Sequence, residues 1–204
     1  MHLNFIKNTV LLFILTLLSC RNNSNSQSLV SNKSAVVLGA QQTERYLPIL
    51  KNKNIGIVAN QTSVIFKATG STHLVDSLLS LNIKVKKVFA PEHGFRGTAD
   101  AGEYVTDGID AGSGIPIVSL YGANKIPNAA ILSDLEVVVF DIQDVGARFY
   151  TFLSTLHYMM ETCAKLGITV LVLDRPNPNG HYVDGPALDL NHSSFVGIPP
   201  VPVV

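Results

Sequence analysis

The 204 residues carry 15 basic and 15 acidic side chains, so their formal charges cancel and nothing in the balance steers the chain toward nucleic acid. At about 100–200 residues per domain, the length admits one domain, or one and part of a second. Hydrophobic residues make up 47% and charged ones 15%, giving a mean hydropathy of +0.28 that the apolar N-terminus inflates.

Residues 1–20 read as a lipoprotein signal peptide. Lys7 supplies a short basic start, and "TVLLFILTLLS" is an apolar core shorter than the ~20 residues a membrane span requires. The core ends in "LLSC", Leu17 to Cys20, which resembles a bacterial lipobox in which cleavage leaves Cys20 as a lipidated N-terminus. The alternative is a signal peptide with an incidental cysteine. Residues 21–34, "RNNSNSQSLVSNKS", are rich in Asn and Ser and read as a flexible tether. A membrane-anchored protein of the cell envelope is therefore expected, with a folded domain over 35–204.

Apolar β-rich runs alternate with amphipathic stretches through that domain. "NIGIVA" (54–59) predicts a first strand, and "STHLVDSLLSLN" (71–82) a helix with a Ser/Thr cap signal and Leu74, Leu78 and Leu81 on one face. "IKVKKVFA" (83–90) and "IPIVSLY" (115–121) predict two more strands. "EVVVFD" (136–141) is a continuous run that wants both faces covered. "RFYTFLSTLHYMMETCAKLG" (148–167) predicts a long helix stopped by Gly167, and "ITVLVLD" (168–174) a fifth strand. This alternation predicts an α/β fold, a Rossmann-like and mostly parallel sheet flanked by helices. Cys163, inside the predicted helix, reads as a small buried apolar residue with no disulfide partner if Cys20 carries lipid. The apolar, proline-rich end "VGIPPVPVV" reads as interior sequence, so a C-terminal subdomain is expected beyond Val204.

Ligands of open α/β sheets bind beyond the carboxyl ends of the strands. Polar clusters fall at those ends here: "NQTS" after the first strand, "PEHGFRG" after the second, "DIQDVGARFY" after the fourth and "DRPNPNG" after the fifth. The third strand yields only Tyr121–Gly122, the weakest case. Parallel strands would gather these clusters around one sugar-sized hollow. Glu92 is a candidate general acid or base, or a loop carboxylate. His93 could assist it or bond to backbone. Arg96, between Gly94 and Gly97, could fork onto a substrate carboxylate or make a structural ion pair. Asp141 and Asp144 bracket Gln143 and could hold sugar hydroxyls or cap the next helix, with Arg148 able to pair with either. Asp174 precedes a rigid proline loop in which Asn177 could present an amide to a ligand or make an Asx turn. No metal or nucleotide signature is found, nor the G-x-S-x-G of a serine hydrolase, so no metal and no cofactor are expected.

"PEHGFRG", "DIQDVGARFYT" and "LDRPNPNG…DGP", in this order and spacing, resemble the family first known as DUF1343 and associated with exo-β-N-acetylmuramidases of the NamZ type, glycoside hydrolase family 171. The resemblance runs from about Val36 to Val204. It implies a Rossmann-like domain followed by a smaller C-terminal one. It also implies release of N-acetylmuramic acid from the non-reducing end of peptidoglycan fragments, outside the cytoplasm. By motif position it makes Glu92 the catalytic acid/base and lines the pocket with His93, Arg96, Asp141, Gln143, Asp144, Arg148 and Asp174, and it leaves a second catalytic carboxylate to sequence past Val204. A lipoprotein that binds muropeptides without cleaving them is the alternative from another class. A hydrolase of a different bond is a further one.

Overall fold

The computed structural model describes residues 36–201. The expected signal peptide, tether and Cys20 lie outside the described residues. Helix α1 (Thr43–Leu50) leads into β1 (Ile55–Ala59). A hairpin follows, β2 (Val64–Phe66) and β3 (Ser71–His73), and runs directly into α2 (Leu74–Ser80). Then come β4 (Val85–Ala90), β5 (Gly108–Ile109), β6 (Pro116–Ser119), α3 (Ala129–Leu132), β7 (Val137–Asp141), α4 (Phe152–Leu166) and β8 (Thr169–Val172). Among the described residues, no helix is long and apolar enough to cross a membrane.

The sheet order is β5-β6-β4-β1-β7-β8, parallel throughout except for the short β5–β6 pair. Numbered along the chain, the parallel strands lie in the order 3-2-1-4-5, the doubly wound arrangement. The order reverses at β1, which pairs with β4 on one side and β7 on the other. Every residue of β1 and β7 is buried, so both faces need helices, as the unbroken apolar runs predict.

Side-chain alternation sorts the core into two layers. On one face Ile55, Ile57, Ala59, Val137 and Val139 pack with Tyr46 and Leu50 of α1 and Leu74, Val75 and Leu78 of α2. On the other, Val58, Phe89, Val138 and Phe140 pack with Phe152, Met159 and Cys163 of α4. Cys163 is fully buried, its sulfur 3.7 Å from that of Met159, and burial pushes its thiol up to about 11.

Three departures from expectation have local causes. Helix α2 begins at Leu74, because Ser71 and Thr72 pair with Phe66 and Ile65 in the hairpin, and it is His73 that caps the helix by accepting the Val75 N–H. Leu81, expected on the buried face, is the C-cap and is 44% exposed. Helix α4 starts at Phe152 rather than Arg148, while its end is as predicted: Gly167 takes the left-handed conformation (φ 69°) that closes the helix. Helices α1 and α3 and the edge strand β5 carry too weak a pattern to be predicted. Pro48 interrupts α1, and α3 and β5 are a single turn and two residues long.

Candidate functional site

Beyond β4 the chain folds tightly on itself. His93 is left-handed (φ 71°), as are Gly94 (φ 77°) and Gly97 (φ 72°). For a non-glycine residue this conformation costs on the order of 1 kcal/mol or more, and it persists where surrounding contacts impose it. Here the Gly94 N–H donates to the Pro91 carbonyl, the Ala99 N–H donates to the His93 carbonyl, and His93 Nδ1 donates to the Ala99 carbonyl at 3.2 Å. At Gly97 a side chain would also collide with Gln61, which a Cβ would approach to 2.8 Å. The strained turn sits immediately after Glu92.

The Glu92 carboxylate is held on both of its oxygens. Thr151 Oγ1 donates to its Oε2 at 2.8 Å, and the Gly102 N–H donates to Oε1 at 3.1 Å. The Tyr121 phenol lies near the same carboxylate; its pKa is raised, first by burial and then by the proximity of Glu92. Tyr121 follows β6, the strand end that looks poorest in sequence, and the Leu120 N–H ties that end to Ala90 just before the Glu92 turn. Thr151 occupies the N-cap position of α4 but does not cap: its backbone is α-helical, and its hydroxyl goes to Glu92. A threonine there ordinarily satisfies the helix's own N–H groups. The helix expected from Arg148 places Thr151 within its first turn, and only the fold shows that the hydroxyl goes to Glu92.

Two of the expected site residues are committed elsewhere. Asp141, at the end of β7, is in phase with Val137 and Val139 and so points to the α1 face, away from the α4 face where Thr151 meets Glu92. Its carboxylate is fully buried and accepts from Arg175 Nε at 2.6 Å and Nη2 at 3.0 Å, while Nη2 also donates to the Val64 carbonyl. Burial pushes the Asp141 carboxyl up, and the Arg175 fork pulls the other way. Glu92, Asp141 and Asp174 therefore do not ring one hollow. Asp174 is exposed, and its carbonyl accepts the Gly39 N–H.

Arg96 is likewise engaged within the chain. Its Nε, Nη1 and both Nη2 protons donate to Asp110 and Asp76 at 2.8–3.1 Å, and its guanidinium lies 4.3 Å from the Phe95 ring centroid. No pair of N–H groups remains for a bidentate grip on a substrate carboxylate. The guanidinium and the Ser113 donors hold Asp110 well below the usual carboxylate range. Nearby, His73 stacks edge-on against Phe95 at 4.9 Å; with Nδ1 accepting from Val75, Nε2 donates to the Asn60 carbonyl.

The remaining predicted residues do congregate. Gln143 donates from Nε2 to the carbonyls of Asp144 and Pro176, stapling the loops after β7 and β8. Asp144, Arg148 and Asn177 line a cavity with Tyr150 and Ser154 at the first turn of α4. Asp144 accepts the Gly146 N–H through Oδ2, and its buried Oδ1 has no partner among the described residues. Arg148 Nη2 donates to the Pro186 carbonyl at 2.7 Å. Asn177 Oδ1 makes an Asx turn with the Asn179 N–H, and its amide nitrogen faces Gly146. At the switch point Asn60 is fully buried; its Oδ1 takes two bonds from Thr62, and its Nδ2 has no partner among the described residues. Among the described residues, no group of three or more His, Cys, Asp or Glu side chains is placed to hold a metal ion.

A doubly wound sheet with a donor-held carboxylate and a cavity at its carboxyl rim defines a Rossmann-like α/β domain. Residues 55–204 match the family model described as exo-beta-N-acetylmuramidase NamZ, N-terminal, and the chain belongs to that family. It is 42% identical over 159 residues to the peptidoglycan beta-N-acetylmuramidase NamZ of Bacillus subtilis (strain 168), a match covering 78% of this chain and 38% of the relative. Two crystal structures of DUF1343 family proteins from Bacteroides fragilis are similar to it. One has TM-score 0.69 at 45% identity, covering 82% of this chain and 42% of the other. The second has TM-score 0.72 at 32% identity, covering 81% and 41%. The chain spans about two-fifths of the length of these relatives.

Proposed function

We propose that this chain is the glutamate-bearing part of a glycoside hydrolase that removes N-acetylmuramic acid from the non-reducing end of peptidoglycan fragments, with Glu92 as its general acid/base. The observation that carries the reading is the seat of Glu92: a carboxylate at the strand rim, beside a strained turn, aligned by Thr151 and the Gly102 N–H. Glycosidic hydrolysis needs a proton delivered to the leaving oxygen and a second group acting on the opposite face of the sugar. A side chain anchored on both oxygens offers its proton from a fixed position, and fixed geometry supplies much of such catalysis. The family match supports the substrate class, since the Bacillus relative is described as a peptidoglycan beta-N-acetylmuramidase. Asp144, Arg148 and Asn177 are then the residues that hold the sugar's polar groups in the neighbouring cavity.

The test is incubation of the full-length protein with a disaccharide capped by N-acetylmuramic acid, followed by mass analysis. Free muramic acid is expected from the wild type and none from Glu92→Gln at an unchanged denaturation midpoint. Wild-type turnover by that variant would remove Glu92 from the mechanism. Attachment to the cell envelope through Cys20 belongs to the same proposal; its check is fatty-acid labelling that Cys20→Ser abolishes.

A further inference from the structure

A sugar acid differs from its neutral counterpart by one carboxylate, so a site that prefers the acid needs a cation with donors to spare. Arg96 has spent its guanidinium on Asp76 and Asp110. Lys125, on the loop between β6 and α3, has not: its Nζ forms no ion pair and no hydrogen bond among the described residues. It stands 4.8 Å from the Phe195 ring centroid and 6.0 Å from that of Tyr121. These rings form one cluster, Phe195 stacked on Tyr158 (6.2 Å, 11°) and tilted against Tyr121 (6.2 Å, 47°).

An aromatic face attracts an ammonium without occupying its N–H donors. The cluster therefore fixes where the Lys125 charge sits and leaves its donors open. Tyr121 links this cluster to the neighbourhood of the acid, with its ring beside Lys125 and its phenol near enough to Glu92 to feel that charge. A sugar acid seated against these rings meets a cation whose donors are free.

We propose that Lys125, seated on Phe195 and Tyr121, binds the carboxylate of the substrate's acid side chain and so sets the preference for N-acetylmuramic acid over N-acetylglucosamine. The proposal rests on the muramidase reading for the identity of the acid. Its experiment separates the two. Calorimetry of full-length wild type, Lys125→Gln and Lys125→Arg is run with free N-acetylmuramic acid, its methyl ester and N-acetylglucosamine. The wild type is expected to favour the acid. Lys125→Gln is expected to bind the acid about ten- to a hundredfold more weakly, the range for losing a charge-assisted hydrogen bond, with the two neutral sugars unchanged. Lys125→Arg restores most of the preference. Equal weakening of all three ligands, or none, overturns the assignment. Release of muramic acid from the capped disaccharide is scored separately. Acid preference lost in Lys125→Gln without any release by wild type sinks the muramidase reading and keeps Lys125; release with preference intact in Lys125→Gln does the reverse.

Discussion

Replacing Arg175 by Met tests whether Asp141 belongs to the framework or to the substrate site. Arg175 and Asp141 expose 2% and 0% of their side chains and are joined by two short bonds, so the substitution strands a carboxylate in the core and removes a donor from the Val64 carbonyl. Breaking a buried pair this way costs about 3–5 kcal/mol. At roughly 2–4 °C per kcal/mol for a chain of this size, the melting midpoint falls by about 6–20 °C. Replacing both partners, Asp141→Leu with Arg175→Met, removes the stranded charge and recovers most of the loss, giving a coupling energy of at least about 2 kcal/mol. The assay is urea and thermal denaturation of the full-length protein, with sugar release measured well below each midpoint. Because Asp141 faces away from Glu92, the folded variants keep their turnover. A loss under about 1 kcal/mol in Arg175→Met would refute the structural assignment. So would an Asp141→Asn variant that melts normally yet releases no sugar.

Thr151→Val keeps the shape of the residue and removes the hydroxyl that holds Glu92; kcat is expected to fall about tenfold, the worth of one hydrogen bond near 1.4 kcal/mol, with little change in KM. Cys163 is expected to resist alkylation at pH 8 in the native protein and to react in denaturant, because burial both hides the thiol and raises its pKa to about 11; thiol titration with and without urea reads this directly. Asp110 is depressed by its Arg96 and Ser113 partners, so its stabilisation is complete above the unfolded carboxylate value of about 3.9 and is lost as pH falls below it toward the folded value. Asp110→Asn is expected to flatten that acid limb in denaturation midpoints measured between pH 5 and pH 2, and an unchanged limb would count against the network.

The five parallel strands of this fold are legible because each is a short apolar run bounded by polar residues, and "EVVVFD" in particular tolerates no exposed face. Their order is not legible, since pairing of β1 with both β4 and β7 depends on packing between segments far apart in the chain. The position of Glu92 at a strand end also follows from sequence. What surrounds it does not: Thr151 falls inside the helix expected from Arg148, and Tyr121 reads as an ordinary residue at the poorest rim. Asp141 was expected beside Glu92 because both end parallel strands, but being at one rim does not fix which face a side chain takes. Its phase with Val137 and Val139 is visible in the sequence, and that phase acquires meaning only once Ile57 and α1 are known to cover the same side. The partners of Arg96 lie 20 and 14 residues away on different elements, beyond the reach of any local pattern.

The bond from Thr151 to Glu92 spans 59 residues of chain and crosses from the start of α4 to the end of β4. No short peptide cut from this sequence could therefore present the glutamate as the intact sheet does. A proteolytic piece ending before α4 would keep the PEHG turn but lose its hydroxyl, and such non-local pairings form only after the entropy of closing the intervening loop has been met. The Thr151–Glu92 bond accordingly forms late in refolding, together with native sheet signals, which makes it a stringent marker for completion of the fold.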